Sequence, residues 1–472
     1  MAVEKFLTDK MVGALRFEPT ECQRNLFQLL SRLIVAEASD EWMMLVTGYA
    51  GTGKTSAMAA LISVLKEFGK KYILLAPTGR AAKVLSGYAK TPAKTVHKQI
   101  YRQKSLQEVI GKFSIDMNKN RDTYFIVDEA SLINTCSGNG SMFGTGNLLD
   151  DLVQYVRSNS GNKLLLIGDP AQLPPIGMER SPALSPDFLF SYSPKLLHAH
   201  LTTVVRQQLE SGILYNATLL RKDIEENSTI HPVFKTEGFS DIQRISGGEL
   251  IESISDAIDK YGVDDVVVLC RSNKRANRYN QGIRSSIFYK EEQLTKNDKL
   301  MVVKNCYQFL ENIPELDFIA NGDVANLEAV SSYEERYGFH FARVTLSFPD
   351  YNNIEIDAKV ILDTLDSTTP SLSMDEQRTL YEGVLQDYSH IKPKKKMMQA
   401  IREDLYFNAL QIKYATAITA HKSQGGQWRC AFIDNPFWND EITLDDKKWL
   451  YTALTRATDK VYLINFKDIF FK

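Results

Sequence analysis

Apolar residues in this 472-residue chain fall into two patterns. Short unbroken runs end in turn-forming residues: Met43–Val46, Tyr72–Ala76, the stretch from Tyr124 to Val127, and Leu164–Ile167. Runs of that length and composition suit strands buried on both faces of a parallel sheet. Other segments repeat with helical period. Residues 19–38 place Leu26, Leu29, Leu30, Leu33 and Ile34 on one face, with Thr20 positioned to cap the start. After Ala76, Pro77–Thr78–Gly79–Arg80 turns the chain into another helix. The polar stretch 101–123, with its Asn118–Lys119–Asn120 turn, reads as a small hairpin leaving the main sheet, and the Gly- and Ser-rich residues 134–147 read as a loop. The expected class is α/β.

Composition narrows this without changing it. The chain is too long for one ordinary core, so two to four domains are expected. Hydrophobic residues at 44% and charged residues at 24% are typical of a soluble globular protein. A net charge of −2 gives no global basic surface, so any nucleic-acid contact must be a local groove. Cys22, Cys136, Cys270, Cys306 and Cys430 are scattered and form no C-x-x-C pair, which fits reduced thiols and argues against zinc. No apolar run reaches membrane-spanning length, and the N-terminus lacks a signal-peptide core. A cytoplasmic location and no membrane partner are therefore expected.

The chemistry centres on GYAGTGKT, where Gly48, Gly53, Lys54 and Thr55 fit G-x-x-x-x-G-K-[ST] between a strand and a helix. Glycines let the backbone curl so that N–H groups converge on phosphates at the helix's positive end. Ala50, Gly51, Thr52 and Ser56 complete the expected nucleotide loop. Lys54 is expected to reach the β/γ-phosphates, and the Thr55 hydroxyl to take one place around Mg²⁺. Downstream, a strand ending in Asp128–Glu129 supplies a second metal-holding carboxylate, Asp128, and a candidate base, Glu129, for the attacking water. Asp169 and Gln172 follow another strand, with Gln172 a candidate γ-phosphate sensor. Gln23, in the first turn of a helix, carries an amide able to pair with an adenine edge. Pro77, Thr78, Arg80, Thr95 and His97 lie at the carboxyl ends of strands, where such sheets bind ligands, and suit a sugar-phosphate backbone.

Taken together, GYAGTGKT, APTGRAAKVL, FIVDEAS, GDPAQLPPIG, LTTVVRQ, AITAHKSQGGQW and YTALTRATDK follow the ordered motif set of superfamily 1 helicases. The chain resembles the RecD/Dda-like branch, superfamily 1B, whose members move 5′ to 3′ on single-stranded DNA. The resemblance implies two RecA-like P-loop lobes with parallel sheets, a hairpin-like insertion in the first lobe and an SH3-like β-barrel insertion in the second. It places the first lobe at residues 1–200, with a wedge-like insertion at about 98–123. The second lobe is expected at 201–297 and 410–472, separated by a β domain with a helical arm at 298–409. In that domain, strand-like runs flank Asn321–Gly322, and two amphipathic helices surround Pro393, the first capped by Ser373 and Glu376. Lys394, Lys395 and Lys396 form a basic patch that no family motif explains.

The same resemblance implies that Arg206 and Arg456 neutralise charge on the transferring γ-phosphate, and that His421, Lys422 and Ser423 touch the DNA backbone. ATP and Mg²⁺ are the implied cofactors. Single-stranded DNA and duplex junctions are the implied partners of a protein acting as a monomer, with any loading partner unspecified. Two other readings stay open at this point: a superfamily 1 motor directed to RNA, and a P-loop ATPase switch without unwinding activity.

Overall fold

The protein is described by a computed structural model covering residues 2–15, 17–37, 41–103, 113–135, 143–205, 210–306, 308–310, 318–437 and 442–471. Two helices come first, α1 (Ala2–Gly13) and α2 (Glu21–Val35). Helix α2 begins in a capping box: Thr20 accepts from the Gln23 amide, and the Gln23 side chain accepts from the Thr20 N–H. Strand and helix then alternate through β1 (Met43–Gly48), α3 (Lys54–Glu67), β2 (Lys71–Ala76), α4 (Gly79–Ala89), β3 (Ala93–Thr95) and α5 (Val96–Ile100). A short antiparallel pair follows, β4 (Tyr101–Gln103) with β5 (Phe113–Ile115), and the residues joining them lie outside the described set. The alternation resumes with β6 (Thr123–Val127), α6 (Leu148–Arg157), β7 (Lys163–Gly168), α7 (Pro186–Phe190) and β8 (Leu196–Leu201). Much of the expected loop at 134–147 also lies outside the described residues, at 136–142.

These strands form one six-stranded sheet in the order β3-β2-β6-β7-β1-β8, with every pairing parallel. Its strands lack polar alternation because each faces two cores. Met44 and Val46 of β1 join Leu165 and Ile167 of β7 under α1–α3, while Met43 and Leu45 join Leu164 and Leu166 under α6. The run of apolar residues is thus a strand with helices on both sides.

The second lobe opens with α8 (Gly212–Glu225), β9 (Ile242–Ile245), α9 (Leu250–Tyr261), β10 (Val266–Cys270) and α10 (Asn273–Ser286). The chain then builds a closed barrel from β11 (Lys299–Val302), β12 (Val324–Arg336), β13 (Phe339–Phe348) and β14 (Ile354–Ile361). Helices α11 (Asp363–Asp366), α12 (Met374–Tyr388) and α13 (Lys394–Glu403) intervene before β15 (Leu410–Tyr414) closes the barrel against β11 and β14. The insertion therefore runs to Tyr414 and not to residue 409: β15 alternates into the barrel core through Leu410, Ile412 and Tyr414. The Ser373–Glu376 capping box starts α12 as expected. Both arm helices pack on the tip of the β12–β13 hairpin, where Leu380, Val384 and Ile401 meet Phe339 and Phe341.

Strands β16 (Ala417–Thr419) and β17 (Trp428–Asp434), helix α14 (Leu444–Leu454) and β18 (Ala457–Ile464) complete a five-stranded parallel sheet, ordered β16-β10-β17-β18-β9. The two lobes share apolar contact: Tyr49, Ala171 and Leu173 of the first pack in one cluster with Trp449, Tyr451 and Ile213 of the second. No helix among the described residues is long and apolar enough to cross a membrane.

Candidate nucleotide cleft and nucleic-acid groove

The loop between β1 and α3 curls because Gly51 and Gly53 adopt left-handed backbone, φ 75° and 81°. A side chain at 53 would cost about 1–2 kcal/mol for that conformation alone. It would also press its Cβ to 2.4 Å from Gln23 Nε2. Gln23 is the prop under this loop. Its Nε2 donates to Thr52 O at 3.0 Å, its Oε1 accepts the Thr20 N–H at 3.0 Å, and the side chain is wholly buried. The amide from which an adenine contact is expected is thus bonded to the chain's own backbone, and Gln23 stands outside the lining of the cleft described next. Thr52 is buried too, its hydroxyl donating to Tyr49 O at 2.8 Å, and Gly48 abuts Leu201 of β8.

The remaining loop residues, Ala50, Gly51, Gly53, Lys54, Thr55 and Ser56, line a cavity of about 460 Å³ between the lobes. Asp128, Glu129, Asp169, Gln172 and Arg456 line it as well. Lys54 Nζ donates to Gly48 O at 2.7 Å and Tyr49 O at 2.9 Å, and lies 3.8 Å from Asp169 Oδ2. Asp128 Oδ1 accepts the Glu129 N–H at 2.9 Å, and Asp128 Oδ2 accepts from the Tyr88 hydroxyl at 2.6 Å. Glu129 itself sits in left-handed backbone, φ 52°, a conformation that non-glycine residues rarely adopt and that gathers at functional sites. Burial pushes its carboxyl above the usual range, against the nearby positive charge of Arg456. Arg456 is buried, donating to Thr452 O at 3.1 Å and Gly426 O at 3.2 Å. Gln172 Oε1 is buried without a hydrogen-bond partner among the described residues. Two carboxylates beside a lysine and an arginine fit a triphosphate with a divalent cation, and the unmatched amide oxygen is an acceptor open to a water. Arg206 lies outside the described residues.

A second cavity, about 430 Å³, lies between the lobes and the barrel. Pro77, Thr78, Arg80, Thr95, His97, His421 and Lys422 all line it, although the chain passes through the whole barrel between His97 and His421. Arg80 stacks on Trp428 of the second lobe, 3.9 Å from the ring centroid, and donates to Gln427 O at 3.2 Å. Burial lowers His97 to about 4, so it enters as a neutral ring, set against Tyr101 and Phe143. Lys422 donates to Asn321 Oδ1 of the barrel, and burial lowers its ammonium to about 8. Ser423 does not join them. It is wholly buried, its hydroxyl donating to Ala420 O at 2.7 Å, because the turn after β16 directs it inward.

Sequence reasoning missed the side chains that join the lobes. The Tyr451 hydroxyl accepts the Ala50 N–H at 2.8 Å and donates to Asp169 Oδ2 at 2.7 Å. Leu173 is held on both sides: its N–H donates to Thr452 Oγ1 at 2.9 Å, and its carbonyl accepts from Gln424 Nε2 at 2.6 Å. Tyr451 and Thr452 lie inside the quoted YTALTRATDK stretch, where two hydroxyls in the apolar second half of α14, Trp449–Leu454, were the available signal. Phe318 and Ile176, which also line the groove, carried none.

A phosphate loop, an acidic strand end and an arginine from a second parallel sheet define a P-loop nucleotide-binding protein of two RecA-like lobes. Residues 31–231 match an AAA domain family, and residues 414–464 match the UvrD-like helicase C-terminal domain. These two matches, in order on one chain, are to an ATPase-type domain and to the C-terminal domain of UvrD-like helicases, and they support a helicase. It is 24% identical over 468 residues to uncharacterized protein MJ1519 of Methanocaldococcus jannaschii, covering 89% of this chain and only 36% of that protein's length. It is 21% identical over 496 residues to uncharacterized protein R530 of Acanthamoeba polyphaga mimivirus, covering 88% of this chain and 93% of that one. Among solved structures, a Pif1 helicase from Bacteroides in complex with ADP-AlF3 and ssDNA aligns with TM-score 0.47 and 14% identity, covering 97% of this chain and 95% of that one.

Proposed function

We propose that the chain is an ATP-driven motor that moves 5′ to 3′ along single-stranded DNA and unwinds duplex ahead of it. The observation that carries this reading is the pair of cavities, each lined by both lobes and bridged by the Leu173 segment. Leu173 follows Gln172 of the cleft, and its carbonyl is held by Gln424, which lines the groove beside His421 and Lys422. Movement at one cavity thereby bears on the other.

In the cleft, the phosphates rest on the N–H groups of the glycine loop and on Lys54. Thr55 and Asp128 would hold Mg²⁺, which neutralises charge on the β- and γ-phosphates. Glu129 accepts a proton from water as its oxygen bonds the γ-phosphorus and the bond to the ADP oxygen breaks. Arg456 stabilises the charge spread over the transferring group. ATP favours lobes drawn together and ADP favours lobes apart, so two grips on the strand alternate. Backbone contacts and stacking need no particular sequence. The β4–β5 hairpin beside His97 is suited to part a duplex.

The test is steady-state ATP hydrolysis with oligo-dT, with oligo-U of equal length, and with no nucleic acid. Stimulation of at least tenfold by oligo-dT, exceeding that by oligo-U, is expected. No stimulation by either leaves only an ATP switch, and stronger stimulation by oligo-U makes the motor RNA-directed.

A further inference from the structure

Helix α4 belongs to both cavities. Its capping residue Thr78 and its first-turn Arg80 line the groove, while Ala81, Val84 and Tyr88 line the cleft. At about 1.5 Å per residue, the ten steps from Thr78 to Tyr88 span roughly 15 Å of rigid helix. Other parts of the molecule bear on the same element. Lys83 Nζ lies 3.1 Å from Asp350 of the barrel and donates to Pro349 O at 2.9 Å. Gly425 of the second lobe passes so close that a Cβ there would sit 2.7 Å from Ala81 Cβ.

At the cleft end, the Tyr88 hydroxyl donates to Asp128 Oδ2 at 2.6 Å, while Asp128 Oδ1 accepts the Glu129 N–H. Each carboxylate oxygen is therefore held by one donor, which fixes the plane of the group. A carboxylate that ligates a metal is commonly oriented by such an outer partner, and losing the partner typically costs 10- to 100-fold in metal affinity or activity.

We infer that Tyr88 is a positioning residue for Asp128, and that α4 ties the orientation of this carboxylate to what seats at the groove. The inference rests on the reading of Asp128 as the metal-holding group. Tyr88→Phe keeps the ring and its packing and removes only the hydroxyl. The first readout is equilibrium binding of a fluorescent ADP analogue, in Mg²⁺ and in EDTA. In Tyr88→Phe the Mg²⁺-dependent gain in affinity should fall about tenfold, with affinity in EDTA unchanged. In an Asp128→Asn background, Tyr88→Phe should add less than a twofold further change. If Asp128→Asn loses the Mg²⁺-dependent gain and Tyr88→Phe keeps it, the positioning role is wrong and the Asp128 reading stands. If Asp128→Asn keeps the gain, the Asp128 reading itself fails. The second readout is the Mg²⁺ concentration giving half-maximal hydrolysis. Oligo-dT should lower it several-fold in the wild type and leave it unmoved in Tyr88→Phe. Equal shifts in both proteins, or no shift in the wild type, overturn the tie through α4.

Discussion

Replacing Tyr451 by Phe removes one hydroxyl from a fully enclosed position. The ring stays in the cluster shared by both lobes, where the side chain is 1% exposed, so the apolar contribution is kept. Two hydrogen bonds disappear: the 2.8 Å bond from Ala50 N–H, and the 2.7 Å bond to Asp169 Oδ2. A neutral hydrogen bond contributes about 0.5–1.5 kcal/mol and one to a charged group about 1.5–3 kcal/mol. The expected loss is therefore about 2–4 kcal/mol, with no discount for solvent because water does not reach the group. Both bonds run from the second lobe to the first, so the loss falls on the contact between lobes and spares each lobe's own sheet. At 1.4 kcal/mol per decade, even the lower figure reduces the joined arrangement roughly 30-fold. Steady-state hydrolysis with saturating ATP and oligo-dT should drop by one to two orders of magnitude, while nucleotide affinity changes little. Hydrolysis within twofold of wild type would refute the idea that this phenol joins the lobes.

Other substitutions follow from the same geometry. Lys54→Ala should abolish hydrolysis and unwinding with only a small change in thermal midpoint, because Lys54 holds two backbone carbonyls and a long 3.8 Å ion pair to Asp169 and sits outside the apolar core; near-normal turnover would overturn the phosphate-loop assignment. Glu129 acts as a base only when ionised, and burial raises its carboxyl. The rate should therefore climb with pH along a limb lying above the ordinary carboxylate range, and Glu129→Gln should remove that limb and cost about two to four orders of magnitude in rate. A pH–rate profile of the two proteins checks this, and an unchanged limb in the variant assigns it to another group. Among the described residues Arg80 and Lys422 are the cations lining the groove and its histidines are lowered by burial, so log affinity for oligo-dT should fall with log salt at a slope of roughly −1 to −2, at about −0.7 per phosphate neutralised. Binding titrations giving a slope near zero would mean that stacking, and not phosphate contact, holds the strand.

What the sequence made legible was local. The unbroken apolar runs marked strands because both faces of each are covered, and the glycine loop stood out because its backbone geometry tolerates few other residues. Asp128, Glu129 and Arg456 reach one cavity because each follows directly from the end of a strand or helix. Gln23 went the other way. Its place in the first turn of a helix was visible, but its burial under Gly53 depends on a loop thirty residues away, and no local pattern records such a contact. Ser423 likewise shares a motif with His421 and Lys422, yet one turn of backbone sends it inward. Tyr451, Tyr88 and Gln424 act across long separations in sequence, so their roles emerge only once the lobes are assembled. The barrel's boundary shifted for a related reason: β15 is a short buried strand that reads equally well as part of either domain.

Direction of travel is the most exposed part of the account. It can be read by stopped-flow fluorescence with oligo-dT of increasing length, carrying a dye at the 5′ or the 3′ end, after a single-turnover addition of ATP. Movement from 5′ to 3′ predicts a lag before the signal from 3′-labelled strands that grows in proportion to length, with no such lag for 5′-labelled strands. A length-dependent lag at the 5′ end, or lags independent of length at both ends, would contradict it.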